Sequence, residues 1–298
     1  MRLTAVKIGA GVPKEPFSGH VQLVFITAAI LHVESRLVTL APAAAGGLPG
    51  AITVDIPEGF VFAQFFAAGT AAAARGGVLR FADNAVSVDL RASVPWRSRL
   101  RELALDLARP QTASAWEAAA SALRMDGRSD AIARLGHEAI TKLGLATRRL
   151  DLRSAEKAAE PLVGLGAGAT PAGDDLLVGY LAGLWSSTAH HRGRADFSVG
   201  LADIVRRLGS RTNDVSRVYL EAAVEGEASE RLAGVSASIA GGRTQPIVAA
   251  AVAEAVAVGH TSGADATLGL LLGLAAWGPE RIFCDGRRLI DESDFRSS

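Results

Sequence analysis

The sequence predicts an α+β protein, in which a β-rich N-terminal domain, residues 1–95, precedes a mainly α-helical domain, residues 96–298. Runs of β-branched and aromatic residues in the first hundred positions are bounded by proline and glycine clusters, a pattern typical of strands joined by turns. After Pro95 the apolar residues recur with helical spacing. The length of 298 residues fits two domains of ordinary size.

Each domain divides into predicted elements. Strands are predicted at residues 21–27, 32–40, 51–56 and 78–90, the last interrupted by a turn at Asp83 and Asn84. Residues 63–74 are rich in alanine and phenylalanine, and we expect a short helix there that ends at Gly76 and Gly77. In the second domain, helices are predicted at residues 97–109, 113–125, 129–143, 174–188, 196–208, 214–224, 246–258 and 264–277.

Composition excludes several classes of protein. The 31 basic and 31 acidic residues give a net charge of +0, which provides no long-range attraction for nucleic acid. A single cysteine, Cys284, excludes an intramolecular disulfide. Residues 1–11 lack the pattern of a secretory signal, and the apolar stretch 59–74 is shorter than the roughly 20 residues of a membrane span. We therefore expect a cytoplasmic protein that binds neither nucleic acid nor membrane.

The most informative stretch is residues 164–175, which read Gly-Leu-Gly-Ala-Gly-Ala-Thr-Pro-Ala-Gly-Asp-Asp and lead directly into an apolar helix. Glycine lets backbone N–H groups approach a ligand closely, and a helix N-terminus adds unpaired N–H groups and the positive end of the helix dipole. We therefore expect Gly166, Gly168, Thr170 and Gly173 to bind phosphate or carboxylate.

The two acids at the end of this stretch, Asp174 and Asp175, have two interpretations. In the first they cap the helix and complement its dipole. In the second at least one of them binds a substrate amide or Mg²⁺, the one cofactor that the pattern suggests. The stretch is not a nucleotide phosphate loop, because it has no lysine, and it is not a dinucleotide fingerprint, because Pro171 stands where the last glycine is required.

A second glycine–aspartate stretch, residues 259–265, precedes another apolar helix. Aligning Gly173 with Gly263 matches Asp175 with Asp265, and both helices share the pattern G-x-D-x-x-x-G-x-x-x-G-L, 90 positions apart. The inner glycines of each helix share one face, although glycine inside a helix costs about 1 kcal/mol relative to alanine. We therefore expect the two helices to pack through these faces about a pseudo-twofold axis, with both N-termini at one shared site.

The candidate residues of the shared site fall into two groups. Asp175, Asp265 and His260 are the predicted catalytic residues, His260 because imidazole titrates near neutral pH, although a structural hydrogen bond to a local carbonyl is the alternative. The predicted substrate-binding residues also include hydroxyl groups and arginines that clamp an anion. These further residues are Asp174, Arg211, Thr212, Ser216, Arg243, Thr261, Ser262 and Gly263. No metal-ligand set is predicted, since no histidine or cysteine has ligand spacing.

Residues 164–175, residues 259–265 and the intervening Thr212, Ser216 and Leu220 resemble a bacterial family formerly of unknown function. That family includes a subunit of oxamate carbamoyltransferase, an enzyme of anaerobic allantoin and purine-nitrogen catabolism. The resemblance is strongest over residues 162–277. It implies a carbamoyl or related acyl transfer in which phosphate splits oxalurate into oxamate and carbamoyl phosphate. It also implies that the chain works with two other, unrelated subunits.

Three functions are therefore considered. The leading hypothesis is a transferase subunit that binds small anions such as oxalurate, oxamate and carbamoyl phosphate at the helix N-termini. The alternative is a non-catalytic scaffold or binding subunit of a multi-subunit metabolic complex. A nucleotide enzyme that uses the aspartates for Mg²⁺ ranks last, because the sequence has no recognisable nucleotide motif.

Overall fold

The computed structural model describes residues 1–83, 85–189 and 191–290. Its internal contacts divide the chain into two compact units, Met1–Ser98 and Arg99–Ser298. The first is built of strands and the second of helices, which confirms the predicted fold class. The boundary at residue 95 stays a prediction, and residues 291–298 of the predicted helical domain lie outside the described residues.

The N-terminal unit is an eight-stranded barrel with a ninth strand outside it. The barrel closes because β1 pairs with β5 on one side and with β8 on the other, while β9 pairs with the end of β1. Inward-facing side chains such as Val21, Leu31 and Leu79 form its core. The strands are β1 (Arg2–Gly9), β2 (Phe17–Val24), β3 (Ala29–Val33), β4 (Arg36–Pro42), β5 (Ala51–Asp55), β6 (Ala71–Arg75), β7 (Val78–Phe81), β8 (Ser87–Asp89) and β9 (Val94–Trp96).

Two details of this unit bear on the sequence predictions. The helix expected at residues 63–74 is wrong beyond residue 65, since α1 covers only Phe62–Phe65 and β6 follows it. The alanines of β6 pair with both β2 and β7, so tertiary pairing overrides their helix propensity. Strands β7 and β8 are antiparallel, as the turn at Asp83 requires, and Asn84 lies outside the described residues.

The C-terminal unit contains eleven helices in its described part. They are α2 (Pro110–Asp126), α3 (Asp130–Leu135), α4 (His137–Arg148), α5 (Leu152–Ala159), α6 (Ala172–Ser186), α7 (Arg192–Leu208), α8 (Asp214–Val224), α9 (Glu230–Ala240), α10 (Gln245–Val256), α11 (Ser262–Ala275) and α12 (Glu280–Arg288). Helices α5, α9 and α12 were not predicted. Within the described residues, no helix has the length and apolar character needed to cross a membrane.

Two helix predictions in this unit need correction. The helix expected at residues 97–109 is wrong: the segment contains only a 3₁₀ turn, Leu100–Glu102. Arg99 and Ala104 have φ angles of 54° and 49°, so the backbone turns left-handed on both sides of Leu100 while the leucines still reach the core. The single helix expected at residues 129–143 is divided into α3 and α4 at Gly136.

Helices α6 and α11 pack against each other through glycine. A methyl group at Gly179 of α6 would overlap the carbonyl oxygen of Ala266 in α11. The reciprocal contact is also present, because a methyl group at Gly269 of α11 would overlap the carbonyl oxygen of Leu176 in α6. Gly269 lies 90 residues after Gly179, and Leu176 lies 90 residues before Ala266. The backbones are therefore in direct contact at two points related by a pseudo-twofold axis.

The second glycine of each helix repeats this contact one turn later. Gly183 meets the carbonyl oxygen of Leu270, and Gly273 meets that of Tyr180. Because the contact partners advance along both helices in the same direction, α6 and α11 are parallel and both begin at the same end of the pair. The predicted packing through glycine faces is confirmed.

Replacing Gly179 with alanine should destabilise the helical unit, because the added methyl group has no space against the α11 backbone. We expect a loss of about 2–3 kcal/mol in the free energy of unfolding, as is typical when a packed core is overfilled. Chemical denaturation followed by circular dichroism measures this quantity.

Gly234→Ala is the matched control. Gly234 lies inside α9, and a methyl group there would meet nothing within 4 Å. That variant should gain up to about 1 kcal/mol from helix propensity. Equal stability of the two variants would contradict a tight α6–α11 backbone contact.

Candidate functional site

The N-termini of α6 and α11 lie side by side. The hydroxyl groups of Thr170, just before α6, and Ser262, the first residue of α11, form a hydrogen bond of 2.7 Å. Asp175 and Asp265 occupy equivalent positions in the first turns of the two helices. The glycine–aspartate stretches thus meet at one place within the helical unit.

The loop before α6 presents a row of free backbone donors. Gly164, Gly166 and Gly168 have φ angles of 75°, 108° and 110°, which side chains other than glycine rarely tolerate. Residues 166–169 are exposed, and within the described part of the chain the N–H groups of residues 166–170 have no backbone acceptor. Such a row of N–H groups beside a helix N-terminus can bind the oxygen atoms of an anion.

Gly173 and Gly263 have a different role from the loop glycines. Their N–H groups donate to the carbonyl oxygens of Leu165 and Val258, at 2.8 and 3.0 Å. A methyl group at either position would overlap a backbone carbonyl of the preceding segment. These two glycines therefore fold the entry to each helix, and their direct contact with a ligand stays a prediction.

Asp174 holds the site together. It is 1% exposed, and its Oδ1 accepts a hydrogen bond of 2.8 Å from the N–H of Gly164 at the start of the loop. Its Oδ2 accepts from the hydroxyl of Thr212, which precedes α8. Both carboxylate oxygens are thus used to join three segments of the chain, so Asp174 orders the loop and Thr212 serves as its partner.

Asp175 and Asp265 are buried but incompletely bonded. They are 9% and 1% exposed, and the Oδ2 atom of each has no hydrogen-bond partner among the described residues. Burial raises the pKa of Asp175 to about 7, opposed by the hydroxyls of Ser262 and Thr170 and assisted by the negative charge of Asp265. Burial likewise raises the pKa of Asp265 to about 6, opposed by the hydroxyl of Thr261. Each carboxyl can therefore gain or lose a proton near neutral pH.

A third helix, α8, also begins at this place. Asn213 caps it by accepting a hydrogen bond of 3.0 Å from the N–H of Ser216. Ser216 is 1% exposed, and its hydroxyl has no partner within the described part of the chain. Tyr219, one turn further on, was missed by the sequence analysis, since a tyrosine in an amphipathic helix usually packs in the core. Burial raises its pKa, and the negative charge of Asp175 raises it further.

No described hydrogen bond or ion pair joins three other predicted residues to the aspartate pair. Arg211 is exposed and forms an ion pair of 2.6 Å with Glu160. Arg243 lines a groove with Gln111 and Ser114 of α2, and no described hydrogen bond or ion pair joins it to the aspartates. His260 is exposed in the turn before α11. Their roles stay predictions.

The described residues offer few groups that could bind a metal ion. No group of three or more histidine, cysteine, aspartate or glutamate side chains among the described residues is placed to hold a metal ion. Two carboxylates, Asp175 and Asp265, and the neighbouring hydroxyls are the groups that a Mg²⁺ ion would find at the site.

The fold and the site define a class of protein: one with buried carboxyls at the adjoining N-termini of parallel helices. Residues 162–274 match the family model described as oxamate carbamoyltransferase subunit AllH. The resemblance inferred from the sequence is therefore confirmed over this segment, which includes both glycine–aspartate stretches. The family is, by that description, a subunit of oxamate carbamoyltransferase. No curated protein and no solved structure matches the chain.

The raised pKa values of Asp175 and Asp265 should make the protein less stable as the pH rises. Between about pH 4 and pH 7 the folded state keeps protons on these carboxyls that the unfolded state has released. Stability from the two groups is fully present below pH 4 and falls progressively above it. The loss is complete once the pH has passed about 6 for Asp265 and about 7 for Asp175. The slope is about 1.4 kcal/mol per pH unit for each carboxyl that stays protonated.

The Asp175→Asn/Asp265→Asn double variant isolates this effect, because an amide of the same shape does not ionise. The free energy of unfolding of the natural protein, minus that of the double variant, should fall between pH 4 and pH 8. Asp196→Asn, at an exposed position on α7, should keep the natural pH dependence. A difference that does not vary with pH would refute the raised pKa values.

Proposed function

We propose that the chain is a subunit of an oxamate carbamoyltransferase or a closely related carbamoyl or acyl transferase, and that it binds a small anionic substrate between α6 and α11. The single observation that carries the proposal is the pair of buried carboxyls, Asp175 and Asp265, each with an unpartnered Oδ2 atom at adjoining helix N-termini. The family match over residues 162–274 supports the reaction class.

The site offers complementary groups for the two ends of such a substrate. The free N–H groups of residues 166–170 and the helix dipoles suit a carboxylate or phosphate. The unpartnered Oδ2 atoms of Asp175 and Asp265 suit the N–H groups of an amide, because an ionised carboxylate only accepts hydrogen bonds. Oxalurate, oxamate and carbamoyl phosphate each combine an anionic group with a carbamoyl or amide group.

The proposed reaction needs one proton to be moved. A phosphate oxygen attacks the carbamoyl carbon of oxalurate, the bond from that carbon to the inner nitrogen breaks, and that nitrogen takes up a proton to leave as oxamate. The pKa of Asp175, about 7, keeps both of its forms populated at neutral pH. The ionised form accepts from the amide N–H of a bound ligand, and the protonated form is the proposed proton donor. The loop N–H groups would stabilise the negative charge that develops during the transfer.

Binding of substrates to the purified chain tests the proposal. Isothermal titration with oxamate, oxalurate, carbamoyl phosphate and phosphate, with and without Mg²⁺, should show binding of at least one carbamoyl or amide ligand. Asp175→Asn and Asp265→Asn should each weaken that binding by about tenfold or more, since each removes a charged hydrogen-bond acceptor.

Asp196→Asn is the matched control and should bind as the natural chain does, because Asp196 is exposed and pairs only with Arg192 at 3.8 Å. Binding of ATP–Mg²⁺ alone would overturn the proposal in favour of a nucleotide enzyme. Binding of none of these ligands, together with stable association with partner subunits, would favour the scaffold function.

A further inference from the structure

Helix α8 runs parallel to α6 along its whole length. At one end the hydroxyl of Thr212 donates to Asp174, the third residue of α6. At the other end the indole N–H of Trp185, near the end of α6, donates to the carbonyl oxygen of Ala223 at 2.9 Å. Thr212 precedes α8 and Ala223 lies near its end, so the two contacts follow α6 and α8 in the same direction. The three helices α6, α8 and α11 therefore all begin near the aspartate pair.

The face of α8 towards this place carries two hydroxyl groups. Ser216 and Tyr219 are three residues apart and therefore share a face. The Ser216 hydroxyl is buried and has no hydrogen-bond partner in the described part of the chain. The Tyr219 hydroxyl also has no hydrogen-bond partner in the described residues, and a helical tyrosine side chain leans towards the helix N-terminus, here towards Asp175.

We propose that α8 forms a third wall of the site and that Tyr219 is a ligand-binding residue whose hydroxyl donates a hydrogen bond to the carbonyl oxygen of an amide held by Asp175. This inference rests on the proposed function and specifies that the amide of the ligand lies between Asp175 of α6 and Tyr219 of α8. The Oδ2 atom of Asp175 lacks a partner, so Tyr219 does not occupy it, and a ligand can bridge the two groups.

The bridging group has to accept from a hydroxyl and donate to a carboxylate. An amide meets both requirements with one planar unit, because its carbonyl accepts and its N–H donates. The raised pKa of Tyr219 keeps its hydroxyl protonated as a donor. A second carboxylate in place of the amide has no N–H for Asp175 and would be repelled by it. The three-walled site therefore selects an amide on one side and an anion on the other.

The test compares oxamate with oxalate, which differ by an amide in place of one carboxylate. Isothermal titration at pH 7.5 should show that Tyr219→Phe raises the Kd for oxamate by about fivefold to twentyfold, the range for loss of one hydrogen bond. Tyr219→Phe should weaken whatever affinity the natural chain has for oxalate by a similar factor, because a carboxylate oxygen also accepts from the hydroxyl. Asp175→Asn should instead weaken the binding of oxamate alone, because only oxamate offers an N–H to the carboxylate.

Tyr180→Phe is the matched control. The chain contains only two tyrosines, and the Tyr180 hydroxyl donates to Thr147 at 2.7 Å in the core. This variant should lose stability and keep its affinity for oxamate. Carbon-13 labelling of tyrosine gives two ring signals, assigned with the two variants, and oxamate should shift the Tyr219 signal and leave that of Tyr180 in place.

The outcomes separate the two proposals. If the natural chain binds oxamate and Tyr219→Phe binds it equally well, the role of Tyr219 is overturned and the proposed function stands. If Tyr219→Phe loses affinity and oxamate leaves the Tyr219 ring signal of the natural chain in place, the tyrosine acts through packing and its contact with the ligand is overturned. If the natural chain does not bind oxamate or any other ligand of the series, the proposed function fails and this inference fails with it.

Discussion

The direct backbone contact between α6 and α11 is the constraint on which the site depends. At Gly179 and Gly269 the absence of a side chain lets each helix touch a carbonyl oxygen of the other. A larger residue at either position would push the two backbones apart, next to the helix starts that the hydrogen bond between Thr170 and Ser262 joins. Because the contact is parallel, two helix dipoles point their positive ends at the same place.

Next to this contact, the adjacent residues Asp174 and Asp175 have different roles. Asp174 has both carboxylate oxygens bonded and orders the glycine loop, whereas Asp175, the next residue, keeps an unpartnered oxygen. A buried carboxyl without a full set of partners is costly, and its pKa rises accordingly. Such residues concentrate where a protein handles protons or ligands. The neutral overall charge agrees with this, because local N–H groups suffice for a small anion.

The sequence predicted the central features through one strong signal and missed others for physical reasons. Repeated glycines inside two helices carry a propensity cost that only close packing offsets, so the α6–α11 pair could be predicted. The separate roles of Asp174 and Asp175 could not be predicted. Asp174 accepts hydrogen bonds from Gly164 and Thr212, which are far apart in the sequence, so no local pattern shows that both contact it.

Other features depend on contacts or backbone angles that no local pattern reveals. Closure of the barrel depends on the pairing of β1 with β5 across most of the N-terminal unit. The helix expected at residues 97–109 does not form, because Arg99 and Ala104 adopt left-handed backbone angles. Neither residue is a glycine, so the sequence does not indicate such angles there. Tyr219 looked like a core residue because its neighbours along α8 have the ordinary amphipathic spacing.

A crystal structure of the chain with bound oxamate tests the central claim most directly. We expect one ligand between the first turns of α6 and α11. Its carboxylate should accept from the N–H groups of residues 166–170, and its amide should lie next to Asp175. A ligand found instead in the groove between Arg243 and Gln111, or bound with Asp175 and Asp265 untouched, would contradict it.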